Sequence, residues 1–216
     1  ISMTGKIKLV HSGGNAVSIA VPTSNPSSSE VELKLPQSDG SADTFLKTDG
    51  SGNLSFGAAG ITMVDSWVVT TNFDVNGASD IGSNWAKHSA GGSQFGTIGT
   101  GMTESSGIFT FPTTGIYMVH HTMSGRADGT GGRSYIGMRQ YYSTNSGGSY
   151  TTTSSGYSSA SSGTDHFVGS GTVFYDVTDV STHRIKFNVE TSSSCKFFGN
   201  ATNKNTGVTF IRLGDT

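Results

Sequence analysis

"GIFTFPTTGIYMVHHT", residues 107–122, decides how the chain is read. Two short apolar runs flank a Pro-Thr-Thr-Gly turn, and two adjacent histidines close the second run. Successive side chains of a strand point to opposite faces. Tyr117, Val119 and His121 therefore share one face, while Ile116, Met118 and His120 share the other. The histidines point apart and cannot form a two-ligand clamp, so the stretch reads as two strands around a turn. One imidazole is expected at a core edge or subunit interface and the other packed elsewhere. A histidine at such an interface would make assembly sensitive to acid.

The same period-two pattern extends outward. Residues 63–70, 109–111, 115–123, 135–142, 166–174, 183–190 and 207–213 read as strands, with a further short one at 95–98. No stretch of a dozen residues has helical periodicity. Seven or eight strands separated by turn signals predict a single all-β domain, a sandwich or jelly roll, over residues 61–216.

Residues 1–60 differ. "KIKLV", "VSIAV" and "VELKL" alternate over short lengths, and "TFLKTDGSGNLSFG" is a hairpin signal with glycines at the turn. About ten apolar side chains serve these sixty residues, while ordering each backbone position costs roughly 1–2 kcal/mol. Two readings follow: a floppy linker, or an extended β collar that shares its core with copies of the same chain. The second is favoured, with "GAAG" at 57–60 as the boundary.

Composition narrows the function. Of 216 residues, 33% are apolar and 10% aromatic; 31 glycines accompany only 4 prolines, which excludes a collagen repeat. A net charge of -2 without a basic cluster argues against nucleic acid. No apolar run reaches 18 residues and no signal-peptide core is seen, so a soluble chain without membrane insertion is expected. The single cysteine, Cys195, reads as a small core or interface residue.

The quoted stretch resembles the core strand pair of the C1q/tumour-necrosis-factor-like jelly roll. Phe109, Gly115 and Tyr117 stand at that family's aromatic–x5–Gly-x-Tyr spacing, and "NTGVTFIRL" resembles its last strand. Val119-His120-His121 departs from the family's usual Phe-x-aromatic continuation. The resemblance implies a homotrimer, with Trp67, Trp85, Phe109, Phe111, Tyr117, His121 and Phe210 as core or threefold-interface residues. "ADTFLKTDGSGNLSFG" is similar to linkers that precede tip domains in tail fibres and other virion proteins, particularly of marine phages. That similarity implies a virion location, with residues 1–60 as collar, shaft and virion attachment and residues 61–216 as head, assembled beside other virion structural proteins.

Chemistry is sparse. His166 beside Asp165, and His183 near Asp176 and Asp179, lack a nucleophile elbow, a His-x-x-x-His pair or a paired glutamate. No enzyme, no cofactor and no metal are expected; Asp176 and Asp179 are the weak metal candidates, and as turn residues they more simply cap backbone amides. The stretch at 141–163, with four tyrosines and no charge, reads as a long loop. Its Tyr141, Tyr142, Asn145, Tyr150 and Tyr157 are the ligand-contact candidates, suited to a host surface glycan or protein. Arg126, Arg133 and Arg139 border it. The expected function is a homotrimeric phage virion protein, a tail-fibre or appendage tip that recognises the host by multivalent loop contacts. An architectural capsid decoration or connector without a host ligand is the alternative. A surface polysaccharide depolymerase is a third reading, for which no convincing carboxylate pair exists.

Overall fold

A computed structural model describes residues 6–20, 22, 24, 26, 30–42, 44–58, 60–88 and 96–216. The chain divides into two compact units, Ile1–Ala59 and Gly60–Thr216. The described residues form strands and turns, without a helix.

In the first unit, β1 (Lys6–Val10) and β2 (Ala16–Ala20) form one antiparallel hairpin. β3 (Thr44–Thr48) and β4 (Leu54–Ala58) form another. The second hairpin is closed by Asp49, whose carboxylate accepts bonds from the Ser51 and Asn53 amides and from Asn53 Nδ2. Those bonds, the Asn53 side chain's first, hold the Asp49 carboxyl below its usual range. Gly52 has φ +88°, and a Cβ there would collide with the Glu32 carbonyl, so glycine is required. "VELKL" does not form the expected strand. Only Lys34 pairs, through a single bridge to Asn53: its amide donates to the Gly52 carbonyl and its carbonyl accepts from the Leu54 amide, and the ladder goes no further. Val31, Leu33 and Leu35 stay exposed.

The second unit contains β5 (Met63–Val69), β6 (Phe73–Asp80), β7 (Trp85–Lys87), β8 (Thr97–Ile98), β9 (Thr103–Ser105), β10 (Ile108–Thr110) and β11 (Gly115–Ala127). β12 (Arg133–Ser143), β13 (Thr151–Ala160), β14 (His166–Val177), β15 (Arg184–Phe197) and β16 (Gly207–Gly214) complete it. Phe95 of the expected 95–98 strand lies outside the described residues. The pairings build two layers. One runs β14-β11-β16-β5, with β7 and β8 against β5. The other runs β13-β12-β15, with β6 and β10 beside β15 and β9 beyond β10. The layers join where Cys195–Phe197 of β15 pairs with Gly125–Ala127 of β11.

β11 shows why this sequence makes this sandwich. Its burial alternates strictly, with Tyr117, Val119, His121 and Met123 inward. Gly115 opens the strand at φ +142°, where a Cβ would strike the Arg212 side chain and the Gly214 carbonyl. The preceding turn is pinned by Tyr117, whose hydroxyl donates to the Thr113 carbonyl at 2.9 Å.

The stretch at 141–163 is not a loop. Residues 133–143 and 151–160 pair as a hairpin, and only its tip is irregular. β13 is an edge strand with small residues inward because β14 runs close beneath it. A Cβ on Gly156 would collide with the Ser170 backbone.

Candidate ligand-binding face

The aromatic candidates assemble inside the protomer. The Phe109 ring stands edge-on to Trp67 (5.3 Å) and Trp85 (5.2 Å) and contacts Phe187 and Phe210. Phe111 meets Tyr117 at 4.8 Å. All are buried between the layers, so Trp67, Trp85, Phe109, Phe111, Tyr117 and Phe210 form part of the protomer's own core. Their inward strand positions dictate this. Each indole N–H is bonded: Trp67 to Asp65 Oδ2 and Trp85 to the Ile81 carbonyl, both at 2.8 Å. Cys195 is buried in the same core.

His121 is also fully buried, against a partner that no sequence pattern marks. Gln140 Nε2 lies 2.9 Å from His121 Nδ1, and Gln140 Oε1 accepts from the Tyr175 hydroxyl at 2.9 Å. If the amide donates, His121 Nδ1 is the acceptor and Nε2 carries the proton; Nε2 is buried without a partner. Burial, aided by the neighbouring His120, pushes the His121 pKa down to about 4. His120 faces the other way and bonds Thr172 Oγ1 at 2.8 Å.

The five ligand-contact candidates separate. Tyr142 points inward, stacks on Tyr175 at 4.4 Å, and has its hydroxyl pushed up to about 12 by burial and then by Asp176. Asn145 closes the hairpin tip. Its Oδ1 accepts from Ser143 Oγ and the Ser149 amide, and its Nδ2 donates to Ser149 Oγ. Tyr150 buries its hydroxyl and lies under the Lys186 ammonium, 4.5 Å from the ring centroid. Tyr141 and Tyr157 remain on the outer face of the β13-β12-β15 layer.

That face carries an array that sequence reasoning did not assemble. Tyr135 and Tyr157 stand edge-to-face, 6.5 Å apart and 82° inclined, each close to half exposed. Gly137 is register-paired with both Tyr157 and Glu190, and a Cβ there would lie 2.5 Å from the Tyr157 ring. The ring therefore lies across a bare backbone, and its hydroxyl reaches Glu190 Oε1. Arg139 pairs with Glu190 and donates to the Tyr157 hydroxyl from Nε (3.0 Å) and Nη2 (2.7 Å). Together Tyr135, Arg139, Tyr157 and Glu190 line an open depression of about 430 Å³. Beyond Arg139, Tyr141 leads to Lys186, which pairs with Asp80 at 2.6 Å. Burial pushes the Asp80 carboxyl up, but the bonds from Lys186 and Asn188 outweigh it and hold the carboxyl below its ordinary range. Every cation of the array is paired with a carboxylate.

Of the two weak metal candidates, Asp176 is exposed, with its backbone carbonyl accepting from the Tyr142 hydroxyl at 3.3 Å. Asp179 accepts from the Ser181 amide at 2.8 Å, and its carbonyl receives the Thr182 and His183 amides. No group of three or more His, Cys, Asp or Glu side chains suited to a metal occurs among the described residues. Arg133 is buried and donates to the carbonyls of Asp128, Gly131 and Ser194. Among the described residues, no helix is long and apolar enough to cross a membrane.

No protein-family model and no curated protein sequence matches this chain. Solved structures do. Murine APRIL at pH 5.0 is 12% identical, covers 70% of this chain and 98% of its own, and superposes with a TM-score of 0.51. Eiger TNF from S. frugiperda is 11% identical, covers 71% and 93%, and gives 0.52. Vertex protein P5 of PRD1 overlays more loosely, at 0.43 with 19% identity over 72% and 100%. The fold is a tumour-necrosis-factor-like jelly roll.

Proposed function

We propose that the protein is a homotrimeric phage virion component, a tail-fibre or appendage tip that recognises the host by binding and not by catalysis. The observation that carries the assembly is an apolar row on the outside of the β14-β11-β16-β5 layer. Phe174, Met118, Ile211, Val64 and Ile98 are cross-strand partners in successive strands, all on the solvent side of the sandwich. Phe174 is 62% exposed in the isolated protomer. A sheet face destined for water alternates to polar residues, and five apolar partners in register fit a contact with another copy. The first unit supports the same reading. Leu9, Ile19, Leu33, Phe45 and Phe56 are exposed, and no hydrophobic residue of that unit is buried among the described residues. Such a segment gains order by sharing a core between chains, as a collar or shaft would.

The virion assignment rests on the likeness of residues 42–57 to phage tip linkers, whose hairpin is β3–β4. Light scattering on the full chain is the first test: a mass of three times 22.4 kDa is expected, and a monomer at micromolar concentration overturns the reading. Immunogold labelling of purified virions then separates two roles. Label at fibre ends or baseplate supports host attachment; label across the capsid favours decoration, a reading to which the tied-down hairpin tip at Asn145 is equally suited.

A further inference from the structure

We propose that the outer face of the β13-β12-β15 layer is a binding site for an uncharged oligosaccharide, centred on Tyr135, Arg139, Tyr157 and Glu190; this rests on the host-attachment reading above. Three features select that ligand. First, the Tyr157 ring lies across Gly137 and is about half exposed, with Tyr135 standing edge-on beside it. Rings fixed in this way on a rigid sheet are platforms for the C–H faces of sugar rings, and they lose little side-chain entropy on binding.

Second, Arg139 and Glu190 are locked to one another and to the Tyr157 hydroxyl. The contacts of Glu190 fall on Oε1, which leaves Oε2 to accept from a ligand hydroxyl while the guanidinium donates to its neighbour. Side-by-side donor and acceptor match a vicinal diol. With each positive group already paired to a carboxylate, an anionic sugar finds no net attraction here.

Third, the array is long and its own side chains are aromatic or charged, with Ile108 beside Lys186 and Ala78 beside Glu190 as its aliphatic neighbours. From Tyr135 to Tyr141 is six residues of strand, about 20 Å. Tyrosines alternate along it with neutralised ion pairs, Arg139–Glu190 and then Lys186–Asp80. A protein partner would be expected to seat an apolar anchor in a desolvated pocket. An extended, repeating, polyhydroxylated chain fits an open, shallow track better.

The test has two arms using the full-length chain. On a printed array of neutral oligosaccharides and their uronic-acid or sialylated counterparts, wild-type chain is expected to bind neutral members. Tyr135→Ala and Glu190→Gln are expected to lower that binding at least tenfold. Tyr135 makes no hydrogen bond through its side chain, so loss in its variant with unchanged thermal unfolding reads the site and not the fold. Binding confined to anionic glycans, or indifferent to both substitutions, overturns the proposal. In the second arm, binding to host cells is measured before and after mild periodate, which cleaves vicinal diols. Loss after periodate supports the site. Binding that survives periodate but is removed by protease overturns the saccharide while leaving host attachment intact. No binding to cells, with neutral glycans still bound on the array, overturns host attachment and leaves the saccharide site standing.

Discussion

The two units of this chain use the same local pattern to opposite effect. Both carry short strands of alternating apolar and polar residues joined by glycine-rich turns. In residues 60–216 the inward sets of two layers meet, and Phe109, Phe187, Phe197 and Phe210 vanish from the surface. In residues 1–59 each hairpin stands with a single partner strand, and Phe45, Leu46 and Phe56 stay in solvent. An alternating strand is therefore only an offer of an apolar face. Burial requires a second layer, which the second unit finds within itself and which the described hairpins of the first unit lack.

The largest expected effect breaks the second unit from inside. Phe109→Ala removes the ring that four other aromatics contact and should cost roughly 3–5 kcal/mol in denaturant unfolding. A loss below 1 kcal/mol would mean that the core is not organised around that ring. Acid should act next. His121 has its folded pKa depressed to about 4, against about 6.5 when unfolded, so the unfolded chain binds the extra proton between those values. The stability due to neutral His121 is fully present above pH 6.5 and is lost as pH falls towards 4, by up to about 3 kcal/mol. Unfolding free energies of wild type and His121→Gln across pH 4–7 check this: the slope should flatten in the variant.

Smaller effects sharpen the contrast between inward and outward faces. Phe174→Ser touches the outer apolar row and should leave protomer unfolding within about 0.5 kcal/mol of wild type. It should weaken assembly by about 2 kcal/mol per subunit, more than a tenfold rise in the concentration at half-dissociation. Sedimentation equilibrium reads that shift, and unchanged assembly would place the contact elsewhere. Least affected should be the Phe45→Ser chain: about 1 kcal/mol per subunit lost from assembly by partial exposure of one ring, with the jelly roll's unfolding unmoved. A drop in head stability would show that the units are energetically coupled.

Legibility followed the strength of the alternation. β5, β11, β14 and β16 were readable because each concentrates apolar and β-branched residues between turn signals. β13, "TTTSSGYSSA", hid because its inward positions are Gly156, Ser158 and Ala160, small to admit β14, and the only signal left was the strand preference of Thr and Tyr. β6 hid for a related reason: Gly77 at φ +91° and polar neighbours interrupt its pattern, while β15 supplies its ladder. "VELKL" misled in the other direction, an alternating run that pairs only at Lys34. At the candidate site, tyrosine richness marked the right hairpin, but Tyr135 and Glu190 fell outside the marked segment.

Period-two alternation, turn glycines and the Phe109–Gly115–Tyr117 spacing were thus enough, from the sequence alone, for an all-β jelly roll with a thinner N-terminal segment. These are local properties: which face a side chain takes depends only on its parity within a strand. What the tertiary structure alone decided is which residues meet. Gly137 lies between Tyr157 on one neighbouring strand and Glu190 on the other, separated by 20 and 53 residues along the chain. His121 finds Gln140 across the core. Strand order and register create such neighbours through backbone hydrogen bonds that are chemically identical at every position. The individual sequence therefore leaves no mark of them until the chain has closed on itself.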